Sequence, residues 1–300
     1  MNRSKGLDGS VIRSRFCDPE KQIYTNKGFP SYNAALVTLQ KNVSHGLQYD
    51  VNYSLAHSID NISNLANSQG ATGIGGVSLI CDVVRPRECR SDSDYDVRHY
   101  ISADATYDLP FGQNKMFAGG VPHWANEMIG NWSLSDITIW HGGQAWGTVA
   151  NAFLASYSND APARLTGSKS AVKTHIDKIP GGGVNIFANQ GNAAAAFAGP
   201  IAFLIGPRNE LRGPQYFNTD LGLAKVFPIY RESLNLKFRA DAFNALNHPN
   251  FALPANNVFQ GYDQQDYTSS TFGQISSTVE PAGNLNNGAR VLQLSLRLEF

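Results

Sequence analysis

Three carboxylates at alternate positions, Asp92-Ser-Asp94-Tyr-Asp96, come nearest in this chain to a ligating cluster. Alternating aspartates open the loops that hold calcium, a hard cation needing about six to eight oxygen ligands. The glycine that turns such a loop and the distal bidentate glutamate are both missing here. The same residues also fit a polar loop leading into a strand, with Asp96 paired with Arg98. Other reactive types are dispersed. There is no H-E-x-x-H, G-x-S-x-G, P-loop or C-x-x-C motif, and the seven histidines fall on different segments, so spacing argues for no metal cluster. Gly73-Ile-Gly-Gly76 and Gly181-Gly-Gly183 lack the strand and helix that would make them phosphate cradles, and read as loops. Neither catalysis nor a cofactor is expected. Cys81 and Cys89, in one Gly/Ser/Asp-rich stretch, are candidates for a loop disulfide in an oxidising compartment, with Cys17 left over.

Composition narrows the class. Charged residues are 16% of the 300 and the formal net charge is zero. No basic stripe is present to neutralise phosphates, so nucleic acid is not an expected partner. No apolar run is long enough for a membrane helix. The nearest, 193–205, is broken by Gly199-Pro200 and reads as a loop. With 42% apolar and 11% aromatic residues, the chain is not of disordered composition.

The elements that must position these side chains are strands. From 292 to 300, Leu292, Leu294, Leu296, Leu298 and Phe300 alternate with Gln293, Ser295, Arg297 and Glu299. From 233 to 242, Leu234, Leu236, Phe238, Ala240 and Ala242 alternate with Ser233, Asn235, Lys237, Arg239 and Asp241. Side chains alternate across a strand, so each segment has one apolar and one charged face. A face carrying Lys, Arg and Asp is no sandwich core. It suits a water-filled lumen, with the Leu/Phe face towards lipid, and ~10 residues span the hydrocarbon when tilted. Lys237 and Arg239 then either line a substrate path or pair with Asp241 and neighbours as ordinary lumen charges.

Similar patterns predict strands over 32–43, 47–55, 97–109, 131–140, 216–227 and 233–243, with a final strand to 300. The fourth is imperfect around Asp136, which suggests a bulge. Residues 1–31 read as loop or partial strand. The links alternate in length: 44–46, 110–130 and 228–232 are short or medium, whereas 56–96, 141–214 and 244–289 are long and irregular. Short periplasmic turns and long extracellular loops produce this alternation in transmembrane barrels, and it sends the last strand towards the periplasm. Tyr107, Phe111, Trp132, Phe227, Tyr230 and Phe300 gather near the short links, and Tyr53, Trp140, Tyr216 and Phe243 near the long ones. Two aromatic girdles follow from that distribution. The expected fold is all-β: an antiparallel transmembrane β-barrel meander of about seven strands, a partial barrel with long extracellular loops, in the outer membrane.

Several stretches resemble TonB-dependent outer-membrane receptors, in particular the subgroup with a carboxypeptidase-regulatory-like (Oar-like) N-terminal domain. They are Tyr32-Asn-Ala34, Ser44-His-Gly-Leu47, Ser58-Ile-Asp-Asn61, Ser93-Asp-Tyr-Asp-Val-Arg-His99, Leu109-Pro-Phe-Gly112, Leu211-Arg-Gly-Pro214, Asn218-Thr-Asp-Leu221 and Lys225-Val-Phe-Pro228. Phe238-Arg-Ala-Asp-Ala-Phe-Asn-Ala-Leu-Asn-His-Pro-Asn-Phe251 and Val291-Leu-Gln-Leu-Ser-Leu-Arg-Leu-Glu-Phe300 continue the match. The resemblance implies that 32–300 is the C-terminal segment of a larger barrel that imports a large nutrient such as a siderophore or oligosaccharide. It further implies outer-membrane lipid around the wall, barrel-assembly machinery engaging the C-terminal strand at Phe300, and a plug and the TonB system in the full-length protein.

Met1 to Ser10 has a basic start without the apolar core of a signal peptide, so an exported chain is expected to be the remnant of a longer one. Two rival functions stand beside import. One is a structural or adhesive surface barrel without transport. The other is a soluble all-β carbohydrate-binding protein or hydrolase, which requires two facing apolar sheets and a carboxylate pair that is not found.

Overall fold

The computed structural model describes residues 29–61, 85, 87–150, 161–179, 183–201, 204–230, 234–254, 264–279 and 288–300. Seven strands form one antiparallel meander: β1 (Ser31–Ser44), β2 (Leu47–Asp60), β3 (His99–Asp108), β4 (Trp132–His141), β5 (Tyr216–Tyr230), β6 (Leu234–Phe243) and β7 (Val291–Glu299). Each pairs with its neighbour in sequence. The sheet is open, with β1 and β7 at its edges. Of the N-terminal loop expected over 1–31, only 29–31 are described, and Ser31 already belongs to β1.

Register carries the alternation across the sheet. Leu39, Val51 and Ala103 stand in one row, and Val37, Tyr53 and Ile101 in the next. At the other edge Leu236 faces Leu298, Phe238 faces Leu296 and Ala240 faces Leu294. These side chains pack into no closed core: Leu292, Leu294 and Leu296 are 70%, 72% and 67% exposed. A soluble sandwich would cover them with a second sheet. The polar row runs on the other side, with Gln40 opposite Asp50, Asp50 opposite Asp104 and Lys237 opposite Arg297.

Turn chemistry fixes the first hairpin. His45 and Gly46 both have positive φ (54° and 78°), the mirror-image turn whose twist suits a two-residue hairpin. A Cβ on Gly46 would lie 2.8 Å from the Asp108 carbonyl oxygen, so glycine also lets β3 end against the turn.

Three expectations are corrected. β2 continues beyond 55 to Asp60, where it pairs with the two-residue strand Ser91–Asp92. β4 has no bulge, since its register runs unbroken against both β3 and β5. Instead the hydrophobic phase inverts within the strand: Asp136 and Thr138 stand on the apolar row, and Ile137 and Ile139 on the polar one. Pro228 lies inside β5, which runs to Tyr230, and a register shift between Pro228 and Tyr230 accommodates a residue with no N–H to give.

The described parts of the two long links are more ordered than their composition suggests. Strand Ala145–Ala150 pairs with Leu211–Arg212 and Ala161–Pro162, and in parallel with Gln264–Asp266. Val184–Phe187 pairs with Thr174–Lys178 and Gln274–Ile275. Helix α1 (His123–Ile129) lies between β3 and β4, and α2 (Gln190–Ala195) falls where sequence suggested only a loop. The two long links close around Trp146, Ile186, Phe187, Phe197, Leu211 and Phe272. Phe187 touches both Trp146 and Phe272, with ring centroids 6.1 and 5.1 Å away. Burial of such side chains stabilises by about 1.5–3 kcal/mol each. The chain's main buried core therefore sits in this cap, at the long-link end of the sheet, rather than in the sheet itself.

Candidate functional site

The acidic stretch folds back over the end of β2 because Ser91–Asp92 pairs with Ile59 and Asp60. Pairing of Leu211–Arg212 with Ala145 and Trp146 returns Arg212 to the same place. There Asp96, almost fully buried, accepts from the Ser58 amide at 2.6 Å and from Arg98 Nε at 2.9 Å, and forms an ion pair with Arg212 Nη2 at 2.8 Å. Asp92 accepts from His57 Nε2 at 2.9 Å and Arg98 Nη2 at 3.2 Å, and also from Arg212. Burial works against ionisation of Asp92, but the His57 hydrogen bond and the Arg212 and Arg98 guanidiniums outweigh it and hold its carboxyl below the ordinary range. Arg98 is drawn up by Asp96 and Asp92 despite its own desolvation.

The three candidate ligands therefore do not converge. Asp94 turns away to Asn209 Nδ2 at 2.5 Å and Arg208 Nη1 at 3.4 Å. Arg208 also pairs with the buried Asp60 at 2.5 Å. His57, Asp92 and Asp96 do offer donor atoms within 4.8 Å of one another. Two guanidiniums already balance those two carboxylates, and three ligands are half of what calcium takes, about six. The arrangement acts as a clamp tying 92–98 to 208–212 across the mouth of the sheet. Sequence reasoning found the Asp96–Arg98 pair; Arg208 and Arg212, more than a hundred residues away, carried no local signal.

Beside the clamp, a cavity of about 330 Å³ is lined by Tyr32, Ser54, Ser58, Tyr95, Asp96 and Tyr100. Tyr100 continues into a stack across three strands. Its ring lies 6.0 Å from His141 at 8°, and His141 lies 4.9 Å from Tyr216 at 3°. Pairing places all three on the polar row, at the long-link end. This corrects half of the expected girdle. Tyr53 and Trp140 are on the apolar row, where Tyr53 hydroxyl meets His99 Nδ1 at 2.8 Å. Tyr216 and Phe243 are on the opposite one. The signal in sequence was phase: an aromatic in step with Ser102 and Asp104 belongs to the polar row. Flat rings beside hydroxyls and a carboxylate can stack on, and hydrogen-bond to, a flat polar ligand.

Further along the polar row, Arg239 Nε donates to both Asp241 oxygens at 2.8 Å. Lys237 faces Arg297, so positive charge concentrates near the short-link end. In the cap, Glu210 is pushed up to about 7 by burial, against the opposing charge of Lys169, and its Oε1 has no hydrogen-bond partner among the described residues. Cys89 is buried and disulfide-bonded. Its expected partner Cys81 lies outside the described residues, as do Cys17 and Gly73–Gly76. Phe300 is almost wholly exposed beyond β7.

Residues 19–293 match the family model described as outer membrane beta barrel domain. No curated protein and no solved structure matches the chain.

Proposed function

The chain belongs to the outer membrane beta barrel domain family and resides in the cell outer membrane, and on that premise we propose that it is the C-terminal part of the wall of a TonB-dependent receptor importing a large nutrient. The observation that carries the reading is an open sheet whose inward row is bulky and charged. Asp50, Asp104, Asp220, Lys237, Arg239 and Arg297 all stand on that row. Closure on seven strands alone leaves a lumen hardly wider than its own side chains. Side chains of this size and charge suit a wide aqueous lumen shared with a plug, and the free edges of β1 and β7 suit further strands.

On this reading the wall catalyses nothing. The cavity at Tyr95 and the Tyr100–His141–Tyr216 stack line the route in, under an extracellular cap held by the Asp92/Asp96 clamp. The Lys237–Arg297 patch faces the plug, and β7 with Phe300 engages the assembly machinery. The folded cap also favours a second reading, a surface barrel whose ordered loops bind or adhere without transport.

Single-channel recording on the full-length barrel in planar bilayers separates these. A plugged receptor stays closed until mild urea loosens the plug and then gives large conductances. A steady open pore without urea, or no conductance at any urea concentration, overturns the import reading.

A further inference from the structure

The connection between β3 and β4 leaves its apolar side chains outward. Met116 is 83% exposed, Trp124 72% and Met128 68%, with Phe117 and Ile129 also open. A helix as short as α1 does not hold itself together in water. This one is fixed by its surroundings. Asn126 Oδ1 accepts from the Gln113 amide at 2.6 Å, and Phe111 and Phe117 pair at a ring separation of 5.5 Å. At Gly112, with φ 119°, any Cβ would sit 2.6 Å from that same Asn126 oxygen. The exposure thus belongs to a built unit.

Two contacts place the end of α1 on the lipid side of the wall. Trp132 pairs with Lys225, and Lys225 with Phe238, so all three share the row of Leu236 and Leu298. From that row Trp132 Nε1 donates to the Met128 carbonyl at 3.1 Å, and Lys225 Nζ to the Gly130 carbonyl at 2.5 Å. Lys225 itself is buried, 2% exposed, beneath the connection, so the residues that cover it lie on the lipid face of the strand. Lys225 lies towards the short-link end, which is periplasmic in such barrels.

We propose that the β3–β4 connection is a membrane-interface anchor, seated in the inner, phospholipid leaflet of the outer membrane with Trp124, Met128, Met116 and Phe117 at the headgroup–acyl boundary. The occupant is lipid because the patch continues the apolar belt through Trp132 and Phe227. Its few charges are Lys115 and Glu127, and Glu127 lies 3.4 Å from His123 Nδ1 one turn back. Amphipathic segments with a tryptophan rest at this level, ~5–10 Å into the boundary. The proposal needs only the barrel family and is independent of import.

The test is depth-resolved quenching on the full-length barrel in phosphatidylethanolamine/phosphatidylglycerol vesicles, with Trp124 emission taken as the difference between the parent and Trp124→Phe. At the expected depth, lipids brominated high on the acyl chain reduce that emission about twofold, and aqueous iodide leaves it nearly unchanged. The conservative variant should keep the heat-modifiable gel mobility of the parent. Quenching by iodide and not by bromolipid places the connection in water and overturns the proposal. Shielding from both quenchers shows a protein cover and overturns it equally.

Discussion

The Lys225 ammonium stands over two aromatic rings of its own row, 4.9 Å from the centre of Trp132 and 4.8 Å from that of Phe227, while donating to the Gly130 carbonyl. A cation on the lipid side is tolerated only where such partners meet it. Lys225→Met keeps the stem's packing and should shift stability in lipid by less than about 1 kcal/mol. Lys225→Glu places an anion against the Gly130 carbonyl and two ring faces, and should cost about 2 kcal/mol or more. Urea titration of the barrel in vesicles, read by gel mobility, separates the two. Equal effects of both variants would count against the placement.

Glu210 gives the cap a pH dependence. Its carboxyl titrates at about 7 in the folded cap against 4.5 in the free side chain. Between those values the folded form holds a proton that the unfolded form has lost, so cap stability falls as pH rises through that window and levels off above it. The Asp92 clamp acts oppositely. Its depressed carboxyl lends stability that is complete above the ordinary carboxylate range and lost as pH falls below it. Glu210→Gln should flatten the loss between pH 4.5 and 7, measured as the denaturant midpoint of Trp146 fluorescence. An unchanged slope would show that Glu210 is not the group responsible.

β6 and β7 were legible from sequence because nothing interrupts their alternation, and register pairs apolar with apolar across them. The phase of β4 was not, because Asp136 and Thr138 occupy apolar positions while Ile137 and Ile139 face the lumen, and only pairing with β3 and β5 settles it. The cap was illegible for another reason. Trp146, Phe187, Phe197 and Phe272 come from short segments in Gly- and Asn-rich links, none long enough to show a period. The clamp shared that fate, since half of it comes from 208–212.

Asp136 offers a direct test of that inverted phase. Thr138 and Thr219 hydroxyls lie 2.7 Å apart and both donate to its carboxylate, at 3.0 and 2.8 Å. If Asp136 is removed, one hydroxyl can donate to the other and a single O–H is left to find a new acceptor, a smaller cost than holding a carboxylate on the lipid face. Asp136→Ala should therefore be neutral or stabilise the barrel by about 1 kcal/mol. Ile137→Asn, on the lumen row between Asp104 and Asp220, should be tolerated, although a reading with β4 shifted by one residue would make it the damaging change. The urea midpoints of the two variants decide between the phases.

The last expectation concerns the edges. Among the described residues β1 and β7 each have one side unpaired in the sheet, and both carry leucines exposed on the lipid row. In hydrocarbon every free N–H and C=O along such an edge costs several kcal/mol, because no water is there to accept or donate. Pairing β1 with β7 would remove the edges but narrow the lumen around Asp50, Asp104, Arg239 and Arg297. Burying those charges together costs more than leaving the sheet to find other strands. Residues 29–300 expressed alone behind a signal peptide should therefore aggregate or be degraded, whereas on the reading proposed above the same residues within a larger barrel should insert. Outer-membrane fractions run with and without boiling report the outcome. A compact, heat-modifiable band with single-channel conductance from the chain alone would mean that these seven strands close by themselves, and that the lumen charges tolerate the narrow pore.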